Sequence, residues 1–190
     1  MNFEEVTNLI KNRRSIFPHQ FSGAEITRET LEQILENANY APTHKLTEPW
    51  RFKILRGSAR QRLADFLTAD YKANTPLAEQ KESKIKKMSE NPILSSSVVA
   101  ICVKHHPDLI PEWEEIAAVA MAVQNLWLSC APLGIGGYWS SPAAIERIGD
   151  FLQLEENELC MGFFYMGYTS VETSEGKRKP MTEKIVWLNE

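Results

Sequence analysis

Arg13-Arg14-Ser15 sets two guanidinium forks beside a hydroxyl. Groups of this kind hold a phosphate or a ribityl chain through paired, charge-assisted hydrogen bonds. A second stretch, Ala41-Pro42-Thr43-His44-Lys45-Leu46-Thr47-Glu48-Pro49-Trp50, puts small, polar and cationic groups on a short loop between two prolines. A third, Gly136-Gly137-Tyr138-Trp139-Ser140-Ser141, combines backbone freedom with an indole and two hydroxyls. Lys177, Arg178 and Lys179 form a basic cluster near the far end of the chain. If that cluster meets Arg13 and Arg14 in space, the two define an anion site. Together these stretches read as the grip on a flat, phosphate-bearing cofactor.

Each piece also has a plainer reading. Arginines at a helix end complement its dipole, and a basic loop is ordinarily solvated charge. Glu112, Glu114 and Glu115, at the start of a helix, are accounted for in the same way. His105-His106, with Asp108 and Cys102, fit no standard zinc spacing, and no metal is expected. Gly134-Ile135-Gly136-Gly137 follows a helix rather than a strand, so it is not a dinucleotide fingerprint. Its glycines suit close backbone approach to something flat. The chain has no G-x-S-x-G, H-E-x-x-H or Walker motif.

The elements that must position these groups follow from periodicity. Asn2 and Glu5 match a capping box for a first helix with the stripe Val6, Leu9 and Ile10. Ser15 to Phe21 reads as extended chain. Thr27 caps a second helix carrying Leu31, Ile34, Leu35 and Ala38, which ends at Ala41 because Pro42 disfavours helical geometry there. Residues 50–56 alternate as a half-buried strand, and Ser58 is expected to cap a third helix. Residues 77–91, dense in Lys and Glu, read as an exposed helix and a candidate mobile cover. Val98–Val103 and Cys160–Tyr168 read as buried strands, a short helix is expected around 142–151, and a last strand near 184–188. Helical runs between non-adjacent strands predict α+β layering in one domain over 1–190.

Composition narrows the class. A hydrophobic share of 43%, a charged share of 24% and a net charge of −4 describe an ordinary globular chain with no general pull toward nucleic acid. Three widely spaced cysteines offer no disulfide framework, and the acidic start lacks a signal-peptide pattern, so a cytoplasmic protein is expected. The uncharged run 116–145 is long enough to cross a bilayer. Gln124 and Asn125 in its middle, and the glycines beyond, point instead to a helix buried on nearly all sides, in the core or between subunits.

The ordered set R-R-S, A-P-x-H-K-x-x-x-P-W-x-F and G-x-G-G-x-W-x-S resembles the nitroreductase-like flavoproteins, over about 3–187. That resemblance implies an α+β fold with a central mixed or antiparallel sheet flanked by helices, in an intertwined homodimer binding two FMN at its interface. It implies an FMN-dependent NAD(P)H oxidoreductase whose chemistry lies on the flavin, with no catalytic protein side chain. NADH or NADPH gives hydride to flavin N5 in a ping-pong cycle that reduces nitroaromatic, quinone or similar flat acceptors. Carried over, Arg13, Arg14 and Ser15 hold the phosphate and ribityl end, and His44 reaches the flavin of the partner subunit. Trp139, Ser140 and Ser141 lie along the cofactor, and Arg178, with Lys177 beside it, contacts phosphate. The sequence departs from the family where Ser140 replaces Arg, Glu48 replaces Gln and Tyr40 replaces an Arg found in some relatives. The loss of Arg at 140 and the acidic Glu48 leave open a flavin-binding or flavin-handling protein without nicotinamide turnover. A dimeric interaction module built on the apolar helix is a third reading.

Overall fold

The computed structural model describes residues 2–188. Four strands, β1 (Trp50–Leu55), β2 (Ser97–Lys104), β3 (Ile135–Ser140) and β4 (Glu158–Tyr168), form one sheet in the order β1-β2-β4-β3. Every pairing is antiparallel, which resolves the mixed-or-antiparallel expectation. The central strands β2 and β4 are almost wholly apolar, as strands covered on both faces must be.

Two layers cover the sheet. On one face α2 (Arg28–Asn39) and α5 (Glu112–Cys130) pack Leu31, Ile34, Val119 and Leu126 against Val99, Ile101 and Phe164. On the other, α3 (Ser58–Asn74) and α6 (Gly149–Leu152) pack Leu63, Leu67 and Leu152 against Val98, Ala100 and Phe163. α4 (Glu82–Leu94) lies along α3 and keeps most of its charge in solvent. The period-2 alternation along β2 and β4 thus feeds two separate cores.

α1 (Phe3–Asn12) has the capping box at Asn2 and Glu5, yet it buries none of its residues. Its stripe, with Phe3 and Ile10, faces outward in the subunit. α5 buries a single face, and Trp113, Ile116 and Met121 stand exposed on the other, so it is not enclosed on all sides within one subunit.

Several expectations are corrected. Residues 184–188 form no strand: after a 3-10 turn at Met181–Glu183, Val186, Trp187 and Leu188 run exposed beside no other strand. A strand exists only by pairing, and no residue of 184–188 joins the ladders of this sheet. Ser58 is the first residue of α3 rather than its cap. Gly57, at φ 53°, holds the cap position, and the Ser58 hydroxyl accepts from Arg62. The extended run 15–21 contains a 3-10 turn at Pro18–Gln20. Residues 77–91 divide into a 3-10 turn and α4, which continues through Pro92 to Leu94.

Candidate functional site

The end of α1 and the tail loop do meet. The Gly176 N–H donates to the Lys11 carbonyl at 3.4 Å, and Lys11 pairs with Glu175 at 3.3 Å. The absent side chain at Gly176 makes room for the Arg14 guanidinium, which a Cβ there would approach to 2.8 Å. Arg13 lies over the Trp127 ring, 4.2 Å from its centroid, on a helix that packs beneath it. Burial, and then the like charges of Arg178 and Arg14, pull the Arg13 pKa below its ordinary value. Nη1 of Arg13 and Nη2 of Arg14 are buried and donate to nothing among the described residues. Buried guanidinium N–H groups without acceptors are costly, and three arginines together repel one another. Arg13 and Arg14 line a cleft of about 110 Å³ with Trp127 and Gly134, where an anion with several oxygens would relieve both penalties.

β3 leads away from this cradle. A Cβ at Gly136 would meet Ile16 at 2.8 Å, and one at Gly137 would meet the Phe164 ring at 2.6 Å. The space these glycines leave is therefore taken by protein side chains, Ile16 at Gly136 and the Phe164 ring at Gly137, which corrects the expectation that they serve an outside ligand. From Gly136 to Ser140 the strand spans roughly 13 Å at about 3.3 Å per residue. At its far end Tyr138 packs between Phe17 (centroids 4.8 Å) and Tyr165 (5.3 Å, nearly parallel). Its hydroxyl accepts from Asn91 at 2.8 Å, and burial holds its pKa above the ordinary value. Ser140 and Ser141 line a cavity of about 520 Å³ between β3, α3 and α4. Trp139 turns into the core, donating Nε1–H to the Met161 carbonyl at 3.0 Å.

The loop carrying His44 is a strained piece of backbone. Lys45, Leu46 and Glu48 all have positive φ without being glycine, a conformation that persists only where neighbours enforce it. The enforcing contacts are visible. The Thr43 hydroxyl accepts from the Glu48 N–H, Lys45 donates to the Leu109 carbonyl, and His44 Nδ1 sits 2.5 Å from Glu114. His44 borders an open depression of about 460 Å³ with Trp113 and Met121 on the exposed face of α5.

Glu115, one residue on, is not the helix-dipole carboxylate expected. It is 1% exposed, accepts from the His106 N–H at 2.9 Å, and faces His106 Nδ1 at 2.7 Å and His105 Nδ1 at 3.3 Å. Burial pushes its carboxyl up, but the hydrogen bonds from His106 and His105 outweigh it and leave the pKa below the ordinary value. The histidine pair thus serves a buried carboxylate.

A family model described as "Nitroreductase family" matches residues 10–168. The chain belongs to the nitroreductase family. YdjA of Escherichia coli K12, which carries a provisional NAD(P)H nitroreductase name, is 28% identical over 181 residues, 93% of this chain and 94% of YdjA. A nitroreductase-like family protein from Bacillus cereus superposes with a TM-score of 0.84 at 24% identity, covering 100% of this chain and 99% of its own. The FMN-dependent nitroreductase NfnB from Mycobacterium smegmatis, solved in complex with NADPH, gives a TM-score of 0.75 at 17% identity. That match covers 97% of this chain and 98% of NfnB.

Within this nitroreductase fold, the predicted residues separate into three groups. Arg13, Arg14 and Arg178 converge, while Ser15 lies exposed beside them and Lys177 offers its carbonyl to Arg178 at 2.9 Å. Ser140 and Ser141 lie at the other end of β3, and the Trp139 side chain is used by the core. His44 shares no cavity with either group within the subunit. Trp127, Gly176, Asn91 and Tyr138 escaped the sequence reading. Trp127 was hidden in an apolar helix, and Gly176 acts only through the space it leaves. Asn91 lies among charged residues, and Tyr138 has no charge or spacing that singles it out within the glycine-rich stretch.

Proposed function

We propose that this nitroreductase-family chain is an FMN-dependent NAD(P)H oxidoreductase that works as a homodimer. The observation that carries the reading is the pair of buried, acceptor-less guanidinium N–H groups on Arg13 and Arg14, joined by Arg178. They would hold the FMN phosphate, with Ser15 and Lys177 at the margin of the same cradle. The ring end would then lie along β3 toward Ser140 and Ser141, with the Trp139 backbone beside it. NfnB, of the same fold, is FMN-dependent and bound to NADPH, which supports the same pairing here.

Bound flavin supplies hydride acceptance from NADH or NADPH at N5 and delivery to a flat acceptor, nitroaromatic or quinone, in alternate turns. The protein's own work is binding and orientation. The arginines fix the phosphate, and the Asn91–Tyr138 hydrogen bond keeps the wall at the far end of β3 in place. No side-chain nucleophile takes part.

The dimer is supported by what one subunit leaves uncovered: the stripe of α1, the outer face of α5 and the apolar tail with Val186, Trp187 and Leu188. Obligate interfaces resemble a domain interior, and these surfaces have that composition. His44, beside exposed Trp113 and Met121, would reach the cofactor held by the partner. Three buried, unpaired cysteines suit a reducing cytoplasm.

The test is spectroscopic. Protein as purified, or after FMN titration, should show flavin absorbance that anaerobic NADPH or NADH bleaches rapidly. Protein that takes up no FMN would end this reading. Flavin that stays oxidised under both donors would favour flavin handling without turnover, the reading that Ser140 and Glu48 motivate.

A further inference from the structure

The cavity beyond Ser140 has walls of a definite chemistry. Leu67, Met88, Ala144 and Tyr165 give it an apolar floor, and Tyr71 and Tyr138 give it aromatic sides. Four charged groups stand at its rim: Asp70, Arg147, Lys84 and Lys87. The first two cancel. Arg147 grips Asp70 through Nε at 2.6 Å and Nη2 at 2.8 Å, and that grip lowers the Asp70 pKa despite partial burial.

The lysines are different. Spacing of three places Lys84 and Lys87 on one face of α4, toward the cavity. Lys86, on another face, pairs with Glu90 at 3.9 Å. Among the described residues no carboxylate lies within ion-pair distance of Lys84 or Lys87. Lys84 is held only over the Tyr71 ring, 5.7 Å from its centroid. A chain with net charge −4 thus presents two uncompensated cations above an apolar, aromatic-walled cavity of ligand size.

We infer that this cavity selects flat aromatic anions, carboxylates above all, as electron acceptors, with Lys84 and Lys87 as the specificity-determining residues. The inference rests on the oxidoreductase reading and adds the charge class of its acceptor. The ring would lie against Tyr71 and Tyr138 and the carboxylate would point to α4, where solvent keeps its desolvation cheap.

4-Nitrobenzoate and the uncharged 4-nitrobenzyl alcohol, similar in shape, are the probes. Equilibrium binding to the protein as purified, without reductant, should favour the anion by a factor on the order of five to ten, the sum of two exposed ion pairs. The preference should shrink at high salt, and kcat/KM for the two acceptors should follow it. Lys84→Gln/Lys87→Gln should bring the binding ratio toward one, and Lys84→Arg/Lys87→Arg should keep it. Equal binding of both probes by the wild type, or a preference surviving in the glutamine variant, would overturn the inference. So would a variant that changes only NADPH against NADH discrimination, since the lysines would then serve the donor. Because binding needs no reductant, its outcome stands apart from whether nicotinamide bleaches the flavin.

Discussion

Glu115 and Arg13 are both charged groups drawn in from the surface at helix ends, and the fold treats them in opposite ways. Glu115 is enclosed with its partners: the His106 ring and N–H and the His105 ring fill its acceptor positions. Arg13 is half-buried, and the part that is enclosed lacks them. It has the face of Trp127 and the repulsion of Arg14 and Arg178, and its Nη1 meets no acceptor. A satisfied buried charge fixes the loop between β2 and α5, whereas an unsatisfied one lowers subunit stability unless something outside the chain completes it. On the function proposed above, the Glu115 cluster holds the fold and the arginine cluster would hold a ligand.

Breaking the satisfied cluster should have the largest effect. Glu115→Ala leaves two histidines and a backbone N–H facing an emptied site and should lower unfolding free energy by about 3 kcal/mol, measured by urea denaturation. The same cluster fixes a pH dependence. The folded-state pKa of Glu115 lies below its ordinary value, so its contribution is complete above about pH 5 and is lost as pH falls through the lowered value. Stability curves of wild type and Glu115→Gln should therefore converge in acid. A constant gap down to pH 3 would contradict the assignment.

The unsatisfied cluster should answer in the other observable. Arg13→Ala should weaken FMN by roughly 1.5–3 kcal/mol, read by fluorescence titration. Flavin-free stability should change by only about 1 kcal/mol, because the lost contact with Trp127 is offset by relief of repulsion. A variant that loses stability but not FMN would make Arg13 a structural residue like Glu115. The smallest effect should come from Gly176→Ala. Its Cβ would press the flexible end of Arg14 rather than backbone, so FMN affinity should fall a fewfold (~1 kcal/mol) with unfolding unchanged. An unchanged FMN affinity would separate Arg14 from the phosphate.

Local chemistry made much of the fold legible. The cap at Asn2, the cap at Thr27 and the stop at Pro42 are decided within a few residues, and the structure has all three. The strand runs at 98–103 and 160–168 declared themselves by unbroken apolarity. The strand expected near 184–188 failed because its existence depends on an edge to pair with, and no local pattern encodes that. Glu115 looked like its neighbours Glu112 and Glu114, since a one-residue step along a helix turns a side chain from solvent to core.

Local sequence is enough to specify the parts: which segments coil, which extend, and the types of group at the arginine pair, the histidine loop and the glycine-rich strand. Tertiary contacts alone put Arg13 and Arg14 in one cleft, bring the charge of Arg178 near Arg13, set His44 by a different depression, and give Gly136 to Ile16 and Gly137 to Phe164. The reason is one of range. Propensity and capping act over a turn or two. Which charges meet, and which are left without a partner, is set by contacts between residues as far apart as Lys11 and Gly176.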